Sequence, residues 1–128
     1  DLDTVMPGLS LYDYGDSMRF GTNPAAEDET DLSKVTCDLN LFEQYTKGFL
    51  EECGSMLTPQ EIENLPLSAK LMTLECGMRF LADHIAGDTY FKIHREGHNL
   101  DRCRTQLKLV ADMEAKMDTM KQIVEKYR

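Results

Sequence analysis

Between Pro66 and Gly87 the residues Leu67, Leu71, Leu74, Met78, Leu81 and Ile85 step by four and three without interruption. A β-strand lines one face with every second residue, so only an α-helix can bring this series together. The spacing predicts a helix with these six side chains as its core stripe, closed by Gly87. Gly77 inside it costs about 1 kcal/mol relative to Ala, so close contact with a neighbouring element is expected there.

Helical signals recur through the rest of the chain. Leu39, Phe42, Tyr45, Phe49 and Cys53 repeat at helical spacing behind Asp38 or Asn40 as N-cap, with Gly54 at the C-terminal cap. Thr58, Pro59 and Glu61 supply N-cap, N1 proline and N3 acid, which starts a short helix running to about Asn64. Ser10 and Asp13 have capping-box spacing and predict a helix from about Leu11 to Phe20, ended by Gly21. The polar run from Gly21 to Asp31 holds Pro24 and four acids and reads as a loop. Leu32 to Cys37 is the one candidate extended piece. From about Asn99 a stripe of Cys103, Leu107, Val110, Met113, Met117, Met120, Val124 and Tyr127 runs nearly to the C-terminus. Some 28 residues at about 1.5 Å each give roughly 42 Å, longer than a compact domain needs, so the far end is expected to pack on something else. The fold class is mainly α, in one domain spanning residues 1–128.

Composition narrows the functional classes. A net charge of -9 disfavours nonspecific nucleic-acid binding. No apolar run reaches the 18 residues of a membrane span, and no basic-then-apolar leader opens the chain. Cys37, Cys53, Cys76 and Cys103 lack C-x-x-C spacing, so reduced, mostly buried thiols and a cytoplasmic location are expected. The eight Met residues fall mostly on apolar helical positions, as core filling does. The first residue is Asp1 rather than Met, and the expectation is that processing or truncation removed what preceded it.

Three places can carry chemistry. Asp1-Leu2-Asp3 sets two carboxylates two residues apart, hard oxygen ligands of the kind Mg2+ takes; a solvated acidic end is the plainer reading. In the tract His94 to Arg104, Arg102 and Arg104 sit in the first turn of the last helix, where the macrodipole disfavours cations. Either an internal acid or an anionic ligand such as phosphate would compensate. His84, His94 and His98 lack metal-ligand spacing and read as surface or hydrogen-bonded histidines. Arg79 falls one position off the core stripe and Tyr90 follows the Gly87 turn, so both can project into one cleft and hold a hydroxyl-rich ligand. The alternative is an Arg79 to Asp83 helical salt bridge beside a half-buried Tyr90.

Taken together, DLDTVMPGLSLYDYGDSMRFG, LFEQYTKGFL, RFLADHIAGDTYF and HREGHNLDRCRTQLKLV resemble the C-terminal part of a phosphotransferase of the aminoglycoside phosphotransferase and choline kinase superfamily. The match covers essentially the whole chain and is closest to the N-acetylhexosamine 1-kinase group. The resemblance implies the helical C-lobe of a protein-kinase-like fold, with a short extended N-terminal segment. It matches Asp1 to the aspartate that binds the Mg2+ bridging the ATP phosphates, and Asp3 to the second acid of that segment. It matches Asp13 to a structural aspartate that steadies the catalytic loop, and sets Arg79 and Tyr90 at the sugar site. Such kinases also need an H-x-D-x-x-x-x-N catalytic loop and a lobe carrying a phosphate-anchoring Lys, and neither motif occurs in these 128 residues. The expectation is therefore a fragment, inactive alone, of a kinase that uses ATP and Mg2+ to phosphorylate a small sugar, and no cofactor is expected on the fragment. Its partners would be the sugar and the N-terminal lobe, with no nucleic acid and no membrane. Apolar surface left uncovered by that lobe predicts self-association, by exchange of the long helix among other routes. A non-catalytic helical interaction module that docks through this long helix is the alternative.

Overall fold

A computed structural model describes residues 2–128, and Asp1, with the cation role expected of it, lies outside the described residues. The described residues form five α-helices: α1 (Ser10–Gly21), α2 (Leu39–Cys53), α3 (Pro59–Glu63), α4 (Leu65–Ile85) and α5 (His98–Tyr127). Short 3-10 turns at Leu32–Lys34 and Gly54–Met56 flank α2. There is no strand among the described residues, so the mainly α class holds, while Leu32 to Cys37 opens with a helical turn. Among the described residues no helix is long and apolar enough to cross a membrane.

Local chemistry explains most boundaries. Asp38 caps α2 by accepting the amide protons of Asn40 and Leu41. Thr58 and Glu61 close the expected capping box of α3. The box expected at Ser10 and Asp13 does not form: Leu9 occupies the N-cap, and Ser10 is already helical. Gly54 is right-handed and leads into the 3-10 turn, so it does not end α2 as a left-handed cap would. Gly87 and Asp88 take φ of 94° and 58°, which turns the chain away from α4.

The α4 helix lies between two neighbours and meets each through a glycine or small side chain. A methyl group on Gly15 of α1 would collide with the carbonyl oxygen of Ser68. One on Gly77 would sit 3.0 Å from the Cβ of Gln106 in α5, which is the close contact the sequence requires there. The face of α4 turned to these helices holds Leu65, Pro66, Ser68, Ala69, Thr73, Cys76, Gly77, Phe80 and Asp83. The expected core stripe is consequently on the outside. Leu67 is 47% exposed, Met78 60% and Ile85 77%, and only Leu74 of the six is partly covered.

Tyr14 and Met18 of α1, Phe42 and Leu50 of α2, Val35, Cys37, Leu65 and Ala69 form the main core with Leu109, Met113, Met120 and Val124 of α5. The 30 residues of α5 reach about 45 Å. Its length is used within the chain: the first half lies along α4 and the far end on α2, where Tyr127 donates to Glu43 at 2.8 Å. That corrects the expected external docking of its end. Its buried face is also rotated from the expected stripe, since Gln106, Leu109 and Ile123 are buried while Leu107 is exposed. Asp112 ties the 35–37 segment to α5, accepting from the Cys37 amide at 2.7 Å and from Lys116 at 2.6 Å. Three of the four thiols are buried and all four are free.

Candidate functional site

A cleft of about 680 Å3 opens between α1, α4 and the segment joining α4 to α5. Its floor is formed by Cys76, Phe80 and Phe91, which pack in a small apolar cluster with Cys103 behind them. The Phe80 and Phe91 ring centres are 4.7 Å apart. Burial pushes the Cys76 thiol up to about 11, so it is a neutral wall group. The rim is charged on both signs: Asp13, Asp16, Glu27 and Glu75 face Arg19, Arg79, Lys92 and Arg102.

One carboxylate shapes the loop beside this cleft. Asp83, in the last turn of α4, accepts the backbone N–H groups of Thr89, Tyr90 and Phe91 at 3.0, 2.8 and 3.0 Å. Asn99 of α5 donates to the same carboxylate at 2.8 Å and to Asp88 at 2.9 Å. Burial alone would raise the pKa of Asp83; the amide donors of Phe91, Tyr90 and Thr89, together with Asn99, outweigh it and hold the group below the usual carboxylate value. The left-handed Gly87 and Asp88 bring the chain back so that three successive amides reach one side chain.

That loop sets Tyr90 and Phe91 against Arg79. The Arg79 Nη2 lies 3.5 Å from the Tyr90 hydroxyl, and the guanidinium carbon sits 5.6 Å from the Tyr90 ring centre and 5.4 Å from that of Phe91. Glu75, one turn earlier on α4, approaches Arg79 Nε at 3.6 Å. The Arg79 to Asp83 bridge does not occur, because Asp83 turns inward to the backbone amides. Tyr90 is 73% exposed rather than half-buried. Arg79 and Tyr90 are thus brought together, and Arg79 with Asp13 lines the cleft. Asp3 lies apart, exposed in the segment before α1. Among the described residues no group of three His, Cys, Asp or Glu is arranged to hold a metal ion.

The basic tract is compensated internally. Arg102 donates to the Lys92 carbonyl at 3.1 Å and to Asn99 at 2.9 Å, and lies over the Phe80 ring. Arg104 approaches Asp101 at 3.7 Å, and Arg95 approaches Asp101 at 3.1 Å and Asp28 at 3.7 Å. The His98 Nδ1 accepts from the His94 amide at 3.1 Å, which leaves Nε2 to donate to Asp28 at 2.7 Å.

Sequence reasoning missed Asp83, Asn99, Glu75 and Phe91 as builders of the site. The one available signal was Asp83 placed just before a Gly87-Asp88 turn, where a carboxylate can gather free amides. Chemically, the cleft joins the Arg79 guanidinium and acceptor carboxylates over an aromatic floor, and the Tyr90 hydroxyl, outside the cleft lining, stands 3.5 Å from Arg79; together they form a donor and acceptor set suited to a polyhydroxylated ligand. No protein-family model matches the chain.

Proposed function

We propose that the chain is the helical C-terminal part of an ATP-dependent sugar kinase, similar to the N-acetylhexosamine 1-kinase group, and that it supplies the sugar side of the site. The observation that carries this is the Arg79 guanidinium held against Tyr90 and Phe91 at the rim of a polar cleft, by a loop that Asp83 pins at three amides. Arg79 and Tyr90 offer hydrogen bonds to sugar hydroxyls, and the ring of Phe91 a flat apolar contact. Rigid support of this kind is what positioning a hydroxyl for in-line phosphoryl transfer requires. In that reading Asp13 braces the catalytic loop, and Asp1 with Asp3 would hold the Mg2+ that neutralises the ATP phosphates.

The test compares two forms. With ATP, Mg2+ and N-acetylhexosamines, the 128-residue chain alone yields no sugar phosphate. The product of the whole reading frame does, and Asp1→Ala abolishes transfer. Turnover by the chain alone, or a reading frame that encodes no H-x-D-x-x-x-x-N loop shortly before Asp1, overturns the proposal. A second reading, a non-catalytic interaction module, is favoured by the exposed apolar stripe of α4.

A further inference from the structure

We infer that the outer face of α4 is a seam that pairs in parallel with the same helix of a second copy of this chain. The stripe has strict heptad spacing. Leu67, Leu74 and Leu81 fall at one seam position, here d, and Leu71, Met78 and Ile85 at the other, a. Leucine fills every d layer, as in two-stranded parallel coiled coils, and of the a residues Ile85 has the β-branched shape that goes with that state. The opposite side of the helix is already occupied by its own core, at Ala69, Thr73, Cys76 and Phe80, and among the described residues five of the six seam side chains are exposed, with Leu74 partly covered. A shallow groove of about 440 Å3 runs beside them, lined by Leu71, Leu74, Glu75, Met78, Arg79 and Ala82.

Charge selects both the occupant and its direction. Beside the seam, Lys70 occupies a g position and Glu75 the next e position. In a parallel pair g faces the following e of the other helix, so Lys70 meets Glu75 of the second copy and the reverse, giving two attractive contacts about one twofold axis. Within the chain both groups hold loose surface partners, Lys70 with Glu114 at 3.3 Å and Glu75 with Arg79 at 3.6 Å, which can be exchanged. An antiparallel pair would instead set Glu75 against Glu75. The next flanking pair, Gly77 against Ala82, is small on both sides and leaves room for Leu107 of α5, exposed beside Gly77, to widen the contact. The pairing does not rest on the sugar-kinase reading, although Arg79, assigned there to the sugar, borders the seam groove and is the partner that Glu75 would exchange.

Sedimentation equilibrium on the 128-residue chain is expected to give twice the monomer mass of 14.6 kDa. Leu74→Glu buries a carboxylate in the seam of each copy and is expected to weaken association about 100-fold or more with helix content unchanged. Glu75→Lys, at an exposed position, is expected to weaken it as well, and adding Lys70→Glu to that chain to restore it. Leu74→Cys under mild oxidation is expected to give a covalent dimer that the wild type does not, because a parallel pairing sets each d residue opposite itself. A monomeric mass would leave the stripe to an apolar helix of another protein and overturn the proposal. So would a dimer that survives Leu74→Glu, or one that Leu74→Cys fails to cross-link.

Discussion

The Asp83 carboxylate accepts the Tyr90 amide at 2.8 Å, and this bond fixes the Tyr90 side chain against Arg79. Replacing Asp83 with Ala leaves three amides without their acceptor and takes one of two acceptors from the Asn99 side chain, which keeps Asp88. The expected outcome is a lower Tm and amide exchange at Thr89, Tyr90 and Phe91 faster by at least about tenfold, while amides in α2 keep their protection. Hydrogen exchange followed by NMR distinguishes this local release from global loosening.

Acid should act through the same group. Asp83 has a folded pKa below its ordinary value of 3.8, and Asp112 likewise, where burial is outweighed by Lys116 and the Cys37 amide. Above the ordinary value both states are ionised and the contribution is complete. As pH falls below it the unfolded chain takes up protons first, so stability declines until the folded pKa values are passed. Denaturant melts between pH 5 and about 2 are expected to give falling midpoints, with a shallower decline in Asp83→Asn. A midpoint independent of pH in this window would contradict the assignment.

The same substitution is expected to have opposite signs at two glycines. Gly15→Ala drives a methyl into the Ser68 carbonyl and is expected to cost about 3 kcal/mol, because backbone cannot yield as a side chain does. Gly48→Ala, inside α2 with open space around it, is expected to stabilise by about 0.5 to 1 kcal/mol. Thermal melts of the two variants check both signs.

At the proposed sugar site, Tyr90→Phe removes a hydroxyl beside the cleft and Arg79→Ala removes a cationic group of its rim. Titration of N-acetylhexosamines into the chain, followed by amide shifts of residues 75–92, is expected to show affinity falling modestly for Tyr90→Phe and by about tenfold or more for Arg79→Ala. Unchanged affinity in Arg79→Ala would remove it from the sugar site.

Helix existence was legible because caps and periods are local: Thr58 with Glu61, Asp38, Gly87 and the apolar repeats each act within a few residues. Which face each helix buries was less so. The periodic apolar stripe of α4 lies on the outside, with only Leu74 partly covered, while its inner face combines Leu65 and Phe80 with Ser68, Ala69, Thr73 and Gly77. Small residues carry little hydrophobic signal, yet they allow the backbones of α1 and α5 to approach. Ser68 and Thr73 satisfy their hydroxyls on the carbonyls of Leu65 and Ala69, both at 2.7 Å, and so can be buried without an outside partner. Hydropathy alone ranks the two faces in the wrong order. At the site, Arg79 and Tyr90 could be matched by motif, whereas Asp83 and Asn99 act across 16 positions of chain through a turn that no short-range pattern encodes.

Since α4 contributes Phe80 and Arg79 to the cleft and the leucine seam to the exterior, one rigid rod borders both surfaces. Whatever grips the rod from outside therefore holds the guanidinium at a fixed height over the pocket, and any tilt forced on it by a tenant within is transmitted as torque to the opposite side.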